Sequence, residues 1–287
     1  MAENFLIIAN TTKKEAVSFV PVVAGYIASK GKKAFILEQD KDTVCCPDVC
    51  TIGREQLPQM DIAVVLGGDG TVLRAISILK HHETPVFGIN FGHIGYLTQC
   101  DPDMYMECLD RIINGDFEIQ NRIMIKADLQ SGDKKYGVTG INEIVLHRGQ
   151  IAHALHINVY VNGNLIEKLS SDGVIVATPT GSTAYNMSAG GPVVIPTASN
   201  FVITPVCAYS MSDCSVVTSG DDVVTIQLEP GAPCDEGKCA TLSADSISSF
   251  DFNFGDTVTI YKSKYKLKLV KFNDDSFYQT LKHKLSI

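Results

Sequence analysis

The feature that most constrains the fold is a short apolar run that ends in a glycine-rich turn. Residues 62–66 are continuously apolar, and Gly67-Gly68-Asp69-Gly70 follows them directly. An apolar periodicity typical of a helix begins at Val72. A buried strand followed by a crossover helix is the repeating unit of a parallel sheet. The turn therefore lies at the carboxyl end of a strand, the edge where open α/β sheets bind ligands.

The composition of this turn suits a phosphate, except for its one carboxylate, Asp69. Glycines let the backbone approach a phosphate closely, and free N–H groups at the start of a helix attract anions. A loop that only holds phosphate gains nothing from a negative charge. We therefore expect Asp69 to meet a metal, or to accept a proton or hydrogen bond from a hydroxyl group. The alternative is a turn in which Asp69 only caps the helix.

The first 115 residues alternate between strand and helix patterns. Strand patterns cover residues 5–10, 34–38, 62–66 and 85–90, and helical patterns lie between them. Pro21 is expected to kink or break the first helix, and residues 40–58 to form a loop or weakly structured region. Asp101 is expected to cap a helix that ends at Gly115. This alternation predicts a parallel sheet with helices on both faces.

The pattern changes near residue 117, where short β-branched segments separated by turn residues begin. Asn162-Gly163 is a strong hairpin signal between two of these segments. We therefore predict an α/β domain over residues 1–118 and a mostly β domain over residues 119–271. Alternating lysines over residues 262–268 predict a half-buried strand whose solvated lysine face protects a sheet edge. The alternative for these lysines is phosphate binding.

Charge and composition exclude several classes of protein. The chain has 287 residues, is 45% hydrophobic and carries a formal net charge of −8. The negative net charge of the chain does not favour nucleic acid or anionic membranes as partners. No apolar run reaches transmembrane length, and the first residues have no signal-peptide pattern. The nine cysteines are therefore expected to be reduced thiols in the cytoplasm, and their spacing does not match zinc knuckles.

A second constellation is Asn142-Glu143, an amide followed by a carboxylate at the edge of a predicted strand. This pair offers both hydrogen-bond donors and acceptors, as adenine or ribose would require. The alternative is a strand end that faces water.

A third constellation is the polar turn within residues 170–194, which follows an apolar strand. Backbone N–H groups around Gly181 and a short following helix suit an anion. Tyr185 suits stacking on a flat ring, and Asp172 suits a hydrogen bond from an amide or sugar hydroxyl. The alternative is a Ser/Thr-rich surface loop. The turn offers hydroxyl groups from Thr178, Thr180, Ser182 and Thr183.

Taken in this order, the constellations resemble those of the NAD kinase family, and the resemblance covers nearly the whole chain. Gly67-Gly68-Asp69-Gly70 alone is shared with diacylglycerol and sphingosine kinases and resembles the phosphofructokinase turn. The turn at residues 90–97 adds to the likeness. The pair Asn142-Glu143 together with the threonine-rich run at residues 178–185 is specific to NAD kinases.

The resemblance implies a Rossmann-like N-terminal domain and a β-sandwich-like C-terminal domain. It also implies that residues 272–287 pack back on the first domain, and that the active site lies in the interdomain cleft. A homodimer or homotetramer with sites near the subunit interfaces is expected. The implied reaction moves the γ-phosphoryl group of ATP to the adenosine 2′-hydroxyl of NAD. Since the sequence has no Walker A motif, backbone N–H groups and a divalent metal, Mg²⁺, would hold the phosphates.

By the same resemblance, Asp69 is the expected catalytic residue, and no dedicated protein metal site is predicted. Asp245 stands in Ala244-Asp245-Ser246, where the family often has Asp-Gly or Asp-His, so the contact of residue 246 is in question. A diacylglycerol-type lipid kinase is the alternative function, and an NAD-binding protein without chemistry is a third. The expected substrate-binding residues are Gly68, Gly70, Thr71, Asn142, Glu143, Asp172, Thr180, Thr183, Ala184, Tyr185, Ser188 and Asp245.

Overall fold

The structure, a computed structural model, describes residues 2–44, 46, 49–79, 82–92, 95–149, 153–209, 214–229, 239–272 and 277–285. The chain forms two compact units. The first comprises Met1–Asn121 and Leu267–Ile287, and the second comprises Arg122–Lys266.

The first unit is built on a parallel sheet. Its strands have the order β3-β2-β1-β4-β5. Its elements up to residue 114 are β1 (Asn4–Ala9), α1 (Lys14–Ser29), β2 (Lys33–Leu37), β3 (Cys50–Ile52), β4 (Ile62–Gly67), α2 (Asp69–Leu79), β5 (Val86–Asn90) and α3 (Tyr105–Asn114).

Both faces of this sheet are buried, as a continuous apolar strand requires. On one face, Phe5 and Ile7 share a cluster with Val20 of α1 and Leu109 of α3. Leu6, which points to the opposite face, is equally buried, and α2 contacts β1 and β4. The predicted α/β class is thereby confirmed, with the glycine turn at the carboxyl end of β4.

Three local predictions in the first unit hold only in part. Helix α1 runs through Pro21 without a break, because its buried apolar face holds both halves against the sheet. Residues 40–58 include β3, which pairs in parallel with β2 through contacts that a local pattern does not show. Asp101 does stand at the N-cap position, with Pro102 in the first turn, but its side chain makes no capping bond and the turn is a 3-10 turn, Pro102–Met104, that precedes α3. Gly115 does end α3, with a left-handed φ of 79°.

The second unit contains two antiparallel sheets. The first has the order β10-β9-β14-β17, with β6 paired to β17 and β7 to β6, and the second has the order β13-β12-β11-β8-β15-β16. The elements are β6 (Glu118–Ser131), β7 (Lys134–Gly140), β8 (Glu143–Arg148), β9 (Leu155–Val161), β10 (Asn164–Ser171), β11 (Gly173–Ala177), α4 (Tyr185–Ser188), β12 (Asn200–Val206), β13 (Val216–Ser219), β14 (Val224–Leu228), β15 (Ala240–Ala244), β16 (Ser248–Phe252) and β17 (Thr257–Lys271).

The two sheets share one core, so the second unit is sandwich-like, as expected. Asn162 and Gly163 form the predicted hairpin turn between β9 and β10, with φ of 50° and 79°. Strand β17 pairs with β14 through residues 257–260 and also pairs with β6, and protection of a sheet edge by the lysines at 262–268 stays a prediction. The shared core includes Ile157, Val159, Ile226 and Val258 from the first sheet and Leu146, Val176, Ile203 and Leu242 from the second.

The last described element is α5 (Phe277–Leu285), which belongs to the first unit. The ring of Phe277 lies 6.0 Å from that of Tyr96, and Lys284 Nζ lies 4.1 Å from the centroid of the same Tyr96 ring.

Among the residues that the structure describes, no helix is long and apolar enough to span a membrane. Cys239 is disulfide-bonded, which departs from the expected reduced state. Cys45 and Cys234, two of the nine cysteines, lie outside the described residues.

Candidate functional site

The glycine turn between β4 and α2 contains two different kinds of glycine. A Cβ atom at Gly67 would lie 2.2 Å from Thr71 Oγ1, so the packing of the turn itself requires glycine there. Added Cβ atoms at Gly68 and Gly70 would meet no atom of the described residues within 4 Å. The described residues therefore give no steric reason for glycine at these two positions, and they leave the space before them open to a ligand.

Asp69, the first residue of α2, binds a segment that follows β5. Its Oδ2 accepts a hydrogen bond from the Tyr96 backbone N–H at 2.8 Å. Its Oδ1 accepts bonds from the N–H groups of Leu97 and Thr98 at 3.0 and 3.2 Å, and from Thr98 Oγ1 at 3.4 Å. The carboxylate thus holds a neighbouring turn, whereas a capping residue would hold the first turn of its own helix.

The turn over residues 95–98 is fitted closely around this carboxylate. A Cβ atom at Gly95 would lie 2.0 Å from Asp69 Oδ1. Burial, and secondarily the charge of Asp69, raise the pKa of Tyr96. The Tyr96 hydroxyl is buried and has no hydrogen-bond partner among the described residues. Residues 93 and 94 of the predicted 90–97 turn lie outside the described ranges.

Lys13, which belongs to none of the predicted constellations, lies at the same edge of the sheet. Its Nζ donates a hydrogen bond to the Phe91 carbonyl oxygen at 2.6 Å. The Phe91 N–H in turn donates to the Gly67 carbonyl. A positive charge is therefore fixed beside the loop that follows β5, next to the strand that ends in the glycine turn.

In the second unit, the backbone before β8 is held by the threonine-rich run. The Thr178 N–H donates to the Asn142 carbonyl at 2.8 Å, and the Thr178 hydroxyl donates to the Ile141 carbonyl. A Cβ atom at Gly181 would lie 2.0 Å from the Asn142 carbonyl oxygen. The two constellations that the sequence predicts are therefore in direct contact within this unit.

Asp245 holds the same backbone from the turn between β15 and β16. Its Oδ2 accepts from the Ile141 N–H at 2.7 Å, and its Oδ1 accepts from the N–H groups of Asn142 and Glu143 at 2.8 and 3.1 Å. Burial raises the pKa of Asp245, and these N–H groups oppose that shift. A residue expected to contact substrate thus uses both carboxylate oxygens on the backbone of the Asn142-Glu143 pair.

Glu143 is a buried carboxyl group, which excludes the alternative of a strand end that faces water. Its residue exposure is 5%, and its Oε2 has no hydrogen-bond partner in the described part of the chain. Burial, and then the charge of Asp245, raise its pKa to about 8, against a bond from the Tyr185 backbone N–H. A buried acid of this kind donates a hydrogen bond at neutral pH.

The sequence predicts that the threonine-rich run offers its hydroxyl groups to a ligand, but several of them face inward. Thr178 and Ser182 are fully buried, and Ser182 Oγ donates to the Pro179 carbonyl at 2.7 Å. Thr180 is buried beside Arg122, whose Nη1 lies 3.4 Å from Thr180 Oγ1. The hydroxyl of Thr183 donates to the Thr180 carbonyl at 3.3 Å. Internal folding of the loop therefore takes up several of the predicted ligand groups.

Two further buried polar residues of this run and its surroundings were not predicted. Asn186 is fully buried and donates to the carbonyls of Ser182 and Pro192, both at 3.1 Å. Arg122 is also buried, and desolvation lowers its pKa to about 10. A single arginine in an alternating strand pattern gives no sign of burial, so no sequence signal identified it.

Asp172 and Tyr185 line a cavity of the second unit. The cavity has a volume of about 570 Å³. Arg148 Nε and Asp172 Oδ1 form an ion pair at 2.9 Å. Tyr185, the first residue of α4, is 42% exposed. Ser188, the last residue of the same short helix, is exposed, and Ala184 is partly buried. The residues that line the cavity include His147, Arg148, Asp172, Tyr185, Cys207 and Ser246.

Comparison with protein families gives two matches. The ATP-NAD kinase N-terminal domain matches residues 5–117, and the ATP-NAD kinase C-terminal domain matches residues 141–272. Both the Gly67–Gly70 turn and Asn142-Glu143 fall within the matched ranges.

Comparison with individual proteins agrees with these matches. An NAD kinase of Lachnoclostridium phytofermentans is 31% identical over 285 residues, which are 98% of each chain. A crystal structure of an NAD kinase from Archaeoglobus fulgidus in complex with ATP has a TM-score of 0.74 at 25% identity, and covers 99% of this chain and 98% of that one. A crystal structure of yeast NADH kinase complexed with NADH has a TM-score of 0.90 and covers 100% of this chain and 88% of that one. At 21% identity, the yeast likeness bears on the fold alone.

Proposed function

Because the chain belongs to the ATP-NAD kinase family, we propose that it transfers the γ-phosphoryl group of ATP to the adenosine 2′-hydroxyl of NAD, giving NADP. The observation that carries this proposal is the match to an NAD kinase at 31% identity over 98% of both chains. The family match leaves the diacylglycerol-kinase alternative without support.

Phosphoryl transfer depends mainly on positioning and on neutralising charge. We assign the phosphate chain of ATP to the open space before Gly68 and Gly70, where backbone N–H groups at the start of α2 favour an anion. Thr71, the third residue of α2, lies in the same turn of helix. Mg²⁺ would enter as the MgATP complex, held by phosphate oxygens. Among the described residues, no three His, Cys, Asp or Glu side chains converge on a metal position.

Asp69 is the proposed acceptor of the proton from the attacking hydroxyl group. From the described residues, its Oδ1 takes three hydrogen bonds and its Oδ2 takes one. Oδ2 therefore keeps capacity for another partner, since each carboxylate oxygen has about two lone-pair sites. In the proposed step the 2′-oxygen bonds to the γ-phosphorus, its proton passes to Asp69 Oδ2, and the bond from the γ-phosphorus to the β–γ bridging oxygen breaks, releasing ADP. Contact of Asp69 with Mg²⁺ is the competing role.

The second unit supplies the proposed nucleoside-binding residues. Asn142 and Glu143 offer an amide and a carboxyl group on a backbone that Thr178 and Asp245 hold. The exposed ring of Tyr185 suits stacking on adenine. We assign Thr180 and Ala184 to the surroundings of adenine. The residues assigned to the rest of the dinucleotide are Asp172, Thr183 and Ser188, and Asp245 supports the Asn142-Glu143 pair.

A direct assay tests the function. Purified protein is incubated with ATP, Mg²⁺ and either NAD or diacylglycerol, and products are identified by mass spectrometry. We expect NADP. Phosphatidate instead would support the lipid-kinase alternative, and NAD binding without any product would support a protein that binds without chemistry.

The role of Asp69 has its own test. Asp69→Asn should lower turnover by about 10²–10⁴-fold, the usual contribution of a general base, while NAD affinity measured by calorimetry changes little. Asp103→Asn, at an exposed position of the same unit, is the matched control and should keep wild-type turnover. Near-wild-type turnover in Asp69→Asn would exclude the catalytic assignment.

Cytoplasmic location and assembly into a dimer or tetramer stay predictions, and light scattering after gel filtration tests the assembly.

A further inference from the structure

We propose that Asp245 is a positioning residue, which fixes the backbone of Asn142-Glu143 and holds Glu143 in its carboxylic acid form for the nucleoside. This inference rests on the proposed function, because it concerns how the same substrate is received. It gives Asp245 a role that acts through Glu143 and involves no contact with the reacting atoms.

The first step of the argument is the geometry of the Asp245 carboxylate. It accepts three hydrogen bonds, at 2.7, 2.8 and 3.1 Å, from the consecutive N–H groups of residues 141, 142 and 143. Hydrogen bonds to an ionised carboxylate are roughly twice as strong as those between neutral groups. The backbone also bonds in the opposite direction, because the Asp245 N–H donates to the Glu143 carbonyl at 3.2 Å. The path of the chain into β8 is thereby fixed relative to the β15–β16 turn.

The surrounding sequence is shaped for this carboxylate. Asp245 and Ser246 both have left-handed backbone, with φ of 48° and 57°. Few residues adopt this conformation, and Asp is among those that tolerate it. A Cβ atom at Gly140 would lie 2.9 Å from Asp245 Oδ1. A strained turn and a glycine on the facing strand therefore both serve to bring the charge of Asp245 beneath Asn142-Glu143.

The second step concerns the groups that face Glu143. The residue of β11 that pairs with Glu143 is Ala177, and the last residue of β15, which precedes Asp245, is Ala244. Neither side chain carries a charge. From α4, the Tyr185 backbone N–H bonds to the Glu143 carboxyl group. Asp245 is the charged group that acts on Glu143 in the described part of the chain, and it acts in the same direction as burial. Both causes favour the uncharged acid.

The acid form suits the proposed substrate in two ways. A carboxylic acid donates one hydrogen bond and accepts others, and Glu143 Oε2 is buried without a partner among the described residues. An oxygen or ring nitrogen of the nucleoside would supply the hydrogen-bond partner of the Glu143 acid. In addition, an uncharged Glu143 adds no second negative charge next to Asp245 when the anionic pyrophosphate of the dinucleotide binds.

The test titrates Glu143 in the ligand-free protein, by the carbonyl band of a protonated carboxyl group in infrared difference spectra. Glu143→Gln assigns the band, because its loss identifies the signal. We expect the wild-type acid to ionise near pH 8, and Asp245→Asn to lower that midpoint by roughly one unit, as expected when a nearby like charge is removed. Asp251→Asn, at an exposed position of the adjacent strand β16, is the matched control and should leave the midpoint unchanged.

NAD binding measured by calorimetry without ATP gives the second readout. Wild-type affinity should fall as pH rises through about 8, and Glu143→Gln should remove this dependence. Asp245→Asn should bind NAD roughly tenfold more weakly and should show the fall at lower pH.

An unmoved midpoint in Asp245→Asn, or an ionised wild-type Glu143 at neutral pH, would overturn the inference. If Asp245→Asn does not fold, the pH dependence of NAD binding in wild type against Glu143→Gln decides, and equal profiles overturn the inference. A failure of the proposed function would be distinguishable from a failure of this inference. A titration that behaves as expected in a protein that makes no NADP would refute the kinase proposal and leave the Asp245–Glu143 pairing in place.

Discussion

Replacing Glu143 by glutamine should make the free energy of unfolding less sensitive to pH. Burial and the charge of Asp245 raise the folded-state pKa of Glu143 from 4.5 to about 8. Below the unfolded pKa both states hold the proton, and the stability that this group contributes is fully present. As pH rises towards about 8, the unfolded chain ionises while the folded chain does not, so stability is lost. Glutamine does not ionise, and the variant avoids this loss.

The size of the effect follows from the shift. One pKa unit corresponds to about 1.4 kcal/mol, so the shift from 4.5 to about 8 sets an upper limit of about 5 kcal/mol. Exposure of only 5% means that solvent screening removes little of it. We expect the free energy of unfolding of Glu143→Gln, relative to wild type, to increase by several kcal/mol between about pH 5 and about pH 9.

Urea unfolding followed by circular dichroism at several pH values measures this difference. Glu118→Gln replaces an exposed carboxyl group at the start of β6 and should show no such trend. A difference between Glu143→Gln and wild type that stays constant with pH would refute the reasoning, because it would mean that folding does not perturb the ionisation of Glu143.

Three further predictions concern the turns and the cavity. Gly67→Ala should lower the free energy of unfolding by about 1–3 kcal/mol, as overpacking does, whereas Gly68→Ala should keep wild-type stability in urea unfolding but raise the KM for ATP at least about tenfold. Gly95→Ala should lower both thermal stability and kcat, because its methyl group displaces the carboxylate of Asp69, and calorimetry with steady-state kinetics measures the two. Tyr185→Ala should weaken NAD binding by roughly 5–10-fold, the worth of an aromatic stack of about 1 kcal/mol, and isothermal calorimetry checks it.

The sequence predicts the elements whose signals are local. The run at residues 62–66 and its glycine turn form β4 and the start of α2, since an apolar strand and a helical period need no distant partner to be recognised. Residues 50–52 form a strand only because β2 offers an edge, and α1 continues through Pro21 because packing outweighs one missing backbone bond. The domain boundary at residue 118 stays a prediction, since compact units divided at Asn121 need not fold independently.

The candidate site is less predictable, because its residues are organised by distant partners. Asp69 is bonded to groups 27 to 29 residues away, and Asp245 to groups at separations of up to 104 residues. The residue types in the 178–183 turn show its polarity, but they do not show which hydroxyl groups face a ligand. Burial decides that, and it turns Thr178 and Ser182 inward. Residue chemistry therefore identifies the constellations, and tertiary contacts assign the separate roles within them.

The carboxylate in the phosphate turn now has a physical explanation. The charge of Asp69 is spread over four donors from residues 96–98, so an approaching phosphate meets a partly neutralised group. Asp245 uses the same device on the backbone of the nucleoside pair. The two acids then differ in one respect that matters for chemistry. Asp245 accepts bonds from three backbone N–H groups and its charge favours the uncharged acid form of Glu143, whereas Asp69 Oδ2 has one partner among the described residues. Loss of the turn contacts alone should therefore cost Asp69→Asn stability, and loss of the Oδ2 acceptor should cost it turnover.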